Sequence, residues 1–175
     1  RVGVSGEVRM PGQYTITALS SVLDAVSQAE GPTAIGSLRD IQVFRGDSLV
    51  LQEDLYDYLL KPGAGVYGRL QSGDQIFVPV CRKRVQVRGE VHRPAIYEIN
   101  PHHPETLTQI VALAGGLTPE ADSTRVAVVR VNEERQRVVL NVPLSTREGR
   151  SEVLRNGDSL RVLRLRPTLD SGVVV

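Results

Sequence analysis

Between Val2 and Val8 apolar residues alternate with small or polar ones, Met10-Pro11-Gly12 interrupts them, and the alternation resumes from Tyr14 to Thr17. A period of two broken by a Pro-Gly turn predicts a β-hairpin. The period then changes. Val22, Leu23, Val26 and Ala29 make one apolar stripe at helical spacing. Ser21 and Asp24 set a hydroxyl and an acceptor three apart at its start, and Gly31 follows its end, so a short capped helix is predicted near Ser21 to Glu30. Alternation returns over Leu38 to Phe44 and Leu49 to Leu51, around Arg45-Gly46-Asp47-Ser48, which predicts a second hairpin. Leu55, Leu59 and Leu60 allow a turn or two of helix, and Asp74 to Val80 reads as a closing strand after a Gly-Asp turn.

The whole succession then occurs again. Gly6, Glu7, Pro11, Tyr14 and Ile16 reappear as Gly89, Glu90, Pro94, Tyr97 and Ile99, all displaced by 83 positions. Ala29, Gly31 and Thr33 answer Ala114, Gly116 and Thr118 at 85, so the second copy carries two extra residues, most simply within 100–105. Ile41, Val43 and Arg45 match Val126, Val128 and Arg130 at the same offset, and Leu70 to Asp74 matches Leu154 to Asp158 at 84. Thr106 and Gln109 repeat the capping signal before a stripe of Leu107, Ile110, Val111 and Ala114, so the second helix is predicted near Thr106 to Gly115. Arg125 to Val131, Arg137 to Leu140 and Asp158 to Leu165 repeat the later strands. The chain is two copies of one unit, and such self-similarity decides the fold before any local reading does.

Each unit runs strand, strand, helix, strand, strand, strand. One helix crossing one face of a mixed sheet is an α+β solution, the β-grasp (ubiquitin-like) arrangement, here in tandem. The expected boundaries are 1–81 for the first domain and 82–168 for the second. The stretch 169–175 is then a truncated linker or the first strand of a further repeat, because Val173 to Val175 stands where each copy opens with V-x-V. Starting at Arg1 with no charged-then-apolar leader, the chain reads as an excised fragment.

With 41% hydrophobic and 23% charged residues among 175, the composition is that of an ordinary globular chain. No apolar run approaches the ~20 residues of a membrane helix. A net charge of +1 supplies no field that calls for nucleic acid. Only Lys61 and Lys83 are lysines, so nineteen of the twenty-one basic residues are Arg, a usage that suits carboxylate or phosphate partners and that a G- and C-rich genome also produces. One cysteine, Cys81, excludes an intrachain disulfide.

Chemical signals are few. Gly63 to Gly68 fits G-x-G-x-x-G by letter but lacks the preceding strand and following helix of a dinucleotide site, so it reads as a loop. His102 and His103 sit between two prolines in the insertion of the second copy, and with His92 they read as surface rather than as metal ligands. No arrangement of Ser, His, Asp or Cys points to a nucleophile, and neither an enzyme activity nor a cofactor is expected. Glu7 and Glu90 come one per domain, as turn caps or partners of Arg. Tyr14 and Tyr97 are half-buried hairpin residues that could also stack on sugar rings. Arg82, Lys83, Arg84 and Arg88, with Arg161, Arg164 and Arg166, form basic stretches at equivalent ends of the copies.

The ordered pattern V-x-V-x-G-E-V-x-x-P-x-x-Y-x-I, a helix ending in A-x-G or A-G-G, V-x-V-x-R, and L-x-x-G-D-x-I-x-V-P resembles the soluble-ligand-binding β-grasp (SLBB) domain, over essentially the whole chain and twice. The Asp54 to Leu60 stretch is most similar to the versions in outer-membrane polysaccharide export proteins; the second copy departs there, with Pro143-Leu144-Ser145, and has Leu163 where the first has Pro79. The resemblance implies a non-enzymatic scaffold or channel-wall module at the periplasmic face of the outer membrane. Its implied partners are neighbouring subunits or repeats, and polysaccharide. The alternative is a module holding a small soluble ligand or carbohydrate in a cleft between the copies. Arg9, Tyr14, Arg88, Arg93 and Tyr97 are the candidate ligand contacts, and a single chain is expected to bind oligosaccharide weakly, avidity coming from assembly.

Overall fold

The computed structural model describes residues 1–60 and 68–167. These fall into two compact units, Arg1–Arg84 with Glu98–Pro104, and Val85–Tyr97 with the residues from Glu105 onward. Val173 to Val175 and all of Gly63 to Gly68 except Gly68 lie outside the described residues.

In the first unit Val2–Gly6 (β1) and Gly12–Tyr14 (β2) form the opening hairpin, Val22–Gln28 is helix α1, Ile41–Arg45 (β3) and Ser48–Glu53 (β4) form the second hairpin, Leu55–Leu60 is α2, and Gln75–Val78 (β5) closes the unit. The sheet order is β2-β1-β5-β3-β4, with β1 parallel to β5 at the centre and the other pairs antiparallel. The second unit repeats it. Arg84–Gly89 (β6), Ala95–Glu98 (β7), α3 at Leu107–Leu113, Ala121–Val131 (β8), Arg137–Asn141 (β9), α4 at Arg147–Ser151 and Ser159–Arg164 (β10) assemble in the order β7-β6-β10-β8-β9. Both sheets are the mixed β-grasp sheets read from the sequence.

Alternation builds each core. Val2, Val4, Ile41, Val43, Ile76 and Val78 point to one face of the first sheet, where Val22, Ala25 and Val26 of α1 cover them. In the second unit Val85, Val87, Val126, Val128, Leu160 and Val162 meet Leu107, Ile110 and Val111 of α3, all buried. Each such Val, Leu or Ile side chain stabilises its unit by roughly 1.5–3 kcal/mol on leaving water. Both helices start with the capping box expected: Asp24 N–H donates to Ser21 Oγ, and Ser21 N–H to Asp24 Oδ2, with Thr106 and Gln109 repeating the exchange.

The opening strand stops at Gly6 rather than Val8, because Gly6 and its counterpart Gly89 take φ of 83° and 85° and turn the chain out of the ladder. The return strand comes earlier than Tyr14 to Thr17, since Gly12 already pairs with Val4. Strand β8 begins four residues before Arg125, held there by Arg164 opposite Ala121 and by Leu165 N–H donating to Glu120 O. Helix α4 has no apolar period to announce it; Thr146 Oγ1 caps it by accepting from Gly149 N–H at 3.1 Å.

Candidate functional site

The residues that recur in both copies converge on the sheet ends, and there they hold backbone. In the Gly-Glu-Val turn of the first copy Glu7 N–H donates to Val78 O at 2.7 Å, and the Glu7 carboxylate accepts from Thr33 Oγ1 at 2.9 Å. Glu90 does the same with Val162 O and Thr118, the hydroxyl bond being 2.7 Å. The Thr that follows A-x-G is thus the partner of the Glu in G-E-V. Arg164 stands 3.9 Å from Glu90, a secondary contact.

The Arg ending V-x-V-x-R and the Asp of the Gly-Asp turn form a second recurring pair. Arg45 reaches Asp74 with Nε at 2.8 Å and Nη2 at 3.0 Å, and Gln71 N–H completes the carboxylate. The Arg45 hydrogen bond holds the Asp74 carboxyl below the usual aspartate range, and Asp74 in turn raises Arg45. In the second unit Arg130 spans Asp158, Glu152 and Val153 O, and Asp158 raises it.

The predicted contact residues divide by environment. Tyr97 is buried and donates its hydroxyl to Arg93 O at 2.6 Å; Tyr14 is half-buried against the first core and donates to Met10 O. Each tyrosine clamps its own hairpin four residues back. Arg9, Arg88 and Arg93 are exposed, Arg93 Nη2 donating to Leu113 O at 2.9 Å. Arg88 stands directly opposite Arg161 in the β6–β10 ladder, both exposed.

One cleft, of about 470 Å³, opens in the first unit. Its floor is Phe77 and Gln42, opposite each other on β5 and β3, and its walls carry Asp40, Lys83, Glu98 and His102. Beneath it lies a buried polar network that repetition does not mark, because the second copy has Thr124 and Pro143 where the first has Arg39 and Asp54. Arg39, 4% exposed, donates Nε and Nη2 to Asp54 Oδ2 and Nη1 to Glu98 O, and its guanidinium lies 4.7 Å from the Tyr56 ring centre. The Glu98 carboxylate accepts from Ser37 Oγ and from Leu38 N–H, and Tyr56 Oη accepts from Glu98 N–H at 3.0 Å. Burial pushes the Tyr56 phenol up, and likewise the Cys81 thiol at the half-exposed start of the next segment. Every buried side-chain polar atom among the described residues has a partner.

At the rim His102 Nε2 lies 3.2 Å from Asp40 Oδ1 and 2.8 Å from Gln52 Nε2, while His103 is exposed. Among the described residues no group of three or more His, Cys, Asp or Glu could hold a metal ion, and no helix is long and apolar enough to cross a membrane.

Comparison with known proteins gives matches along nearly all of the chain. The SLBB domain matches residues 1–78 and again residues 84–139. Two Escherichia coli proteins, each called polysialic acid transport protein KpsD, are 29% identical over 163 residues, or 93% of this chain. The chain spans 28% of their length.

Proposed function

This chain belongs to the SLBB domain family, carrying the domain twice, and from that premise we propose that it is a non-enzymatic structural module of a polysaccharide export protein. Its place is the periplasmic face of the outer membrane, where it acts as scaffold or channel wall against neighbouring subunits or repeats. One observation carries the reading: the polar residues that recur in both copies are spent on holding the fold. Glu7 and Glu90 are taken by threonines, Asp74 and Asp158 by arginines, and the hydroxyls of Tyr14 and Tyr97 by backbone. A catalytic domain repeated in tandem would keep some recurring polar group exposed for its chemistry; a structural module needs the same frame twice. The name of the Escherichia coli relatives, transport of a polysaccharide, agrees. The exposed guanidiniums of Arg9, Arg88 and Arg93 are the groups we assign to polymer contact, with Tyr14 and Tyr97 holding the hairpins that carry them.

A second reading, a module for a small soluble ligand, is favoured by the cleft over Phe77 and Gln42. Light scattering of the complete protein over a concentration series separates the two. A scaffold forms a defined oligomer that is lost or altered when the two units are excised, whereas an unchanged oligomer counts against it.

A further inference from the structure

The two sheets present equivalent open faces, and the chain has filled them differently. Gly6 and Gly89 are equivalent, so the positions just before them, Ser5 and Arg88, are equivalent as well. Across the parallel ladder Ser5 faces Phe77, and Arg88 faces Arg161. The row continues to Gln42 and Gln52 in the first unit, and to Ala127 and Asn141 in the second.

Like charges on residues directly opposite each other, on neighbouring strands whose backbones run about 4.8 Å apart, repel. Among the described residues neither Arg88 nor Arg161 has a hydrogen-bond or ion-pair partner. The next row, Gln86, Ser159, Val129 and Val139, holds no acid, and Arg137 opposite Val131 adds a third exposed cation beyond it. The fold does not require this arrangement, since the first copy builds the same sheet with Ser5 and Phe77. Ala127, beside Arg161, leaves the face low, so a chain-like ligand can lie across the strands.

We propose that the open face of the second unit's sheet, centred on Arg88 and Arg161, is a docking strip for an acidic polysaccharide whose carboxylates pair with the two guanidiniums. A carboxylate accepts two parallel N–H bonds from one guanidinium, and two adjacent arginines match carboxylates repeated along a polymer. Each contact lies in water and is screened by salt, so one chain binds weakly and an assembly binds well. The proposal rests on the export reading, and its test is separable from it.

The test is affinity electrophoresis of the chain in polygalacturonate, which carries a carboxylate on each sugar, and in neutral dextran. The expected result is retardation by polygalacturonate alone, fading as salt is raised. R88Q/R161Q should weaken it at least about tenfold, the ratio for loss of even one charge-assisted hydrogen bond. R147Q/R150Q, which removes the same charge from α4, should leave it nearly unchanged. Equal loss in both variants, retardation by dextran, or preference for anionic phospholipid vesicles over the polymer would overturn the proposal. R88Q/R161Q should also melt at or above the parent temperature, because a repulsive pair is gone; a lower melting temperature overturns the premise that the fold does not need it. If excising both units blocks export while R88Q/R161Q neither binds polymer less nor exports less, the strip fails and the export role stands.

Discussion

Asp158 lies 1% exposed beneath Arg130, whose Nη2 is 2.7 Å from Oδ2 and whose Nε is 3.0 Å from Oδ1. The pair joins the turn before β10 to the end of β8, so the closing strand of the second unit is registered by an ion pair as well as by its ladder. Arg45 and Asp74 do the same for β5 and β3, but there the Arg45 side chain is 40% exposed against 9% for Arg130.

Burial decides how much each arginine is worth. Arg130→Ala strands a buried carboxylate and leaves Val153 O without its donor, so it should cost about 3 kcal/mol in urea unfolding. Arg45→Ala should cost clearly less, because water reaches its place. Equal losses would contradict the assignment.

Acid should loosen the first unit through Asp74. Its folded-state carboxyl is held below the ordinary value of about 3.9, so the ionised pair contributes fully above that value. The contribution is lost as pH falls below it through the depressed folded value. Melting temperatures between neutral pH and strong acid should therefore fall less steeply in Arg45→Ala than in the parent chain. Parallel profiles would count against the linkage.

Glycines at left-handed positions separate strain from collision. At Gly46, φ is 58° and an added Cβ meets nothing within 4 Å, so Gly46→Ala should cost about 1 kcal/mol. At Gly89 the Cβ would lie 2.0 Å from Val162 O, and Gly89→Ala should cost at least about 2 kcal/mol more, the backbone having to yield at the parallel ladder. Urea midpoints of the two variants check the order.

Arg39→Ala removes the centre of the network under the cleft and should destabilise the first unit by about 3 kcal/mol. Arg39→Lys should recover only part, since one ammonium cannot serve Asp54 twice and Glu98 O as well as a planar fork does. Full recovery by lysine, read from the same urea curves, would show that charge alone matters there.

Topology was legible because its signals are local and doubled. The switch from period two to helical spacing, the Ser21 and Thr106 caps and the glycines after each helix all have neighbours in sequence as their partners. The Arg45–Asp74 and Arg130–Asp158 pairs were not read, although both members recur; a recurring Arg and a recurring Asp of opposite charge were the available signal. The Arg39 network had no such signal. Its members Ser37, Arg39, Asp54, Tyr56 and Glu98 have no matching residue in the other copy and span 61 positions, so repetition could not single them out. Arg88 and Arg161 were visible as basic stretches, but that they face each other follows from the parallel register, which composition does not carry.

The central claim is that this pair of SLBB domains serves polysaccharide export as a structural part. The most direct measurement is surface polysaccharide on cells whose complete protein lacks both units in frame, with its abundance followed by immunoblot. The account predicts polymer retained inside the cell, lost from the surface, and restored by the intact protein. Normal surface polymer with the shortened protein present at wild-type abundance would contradict it.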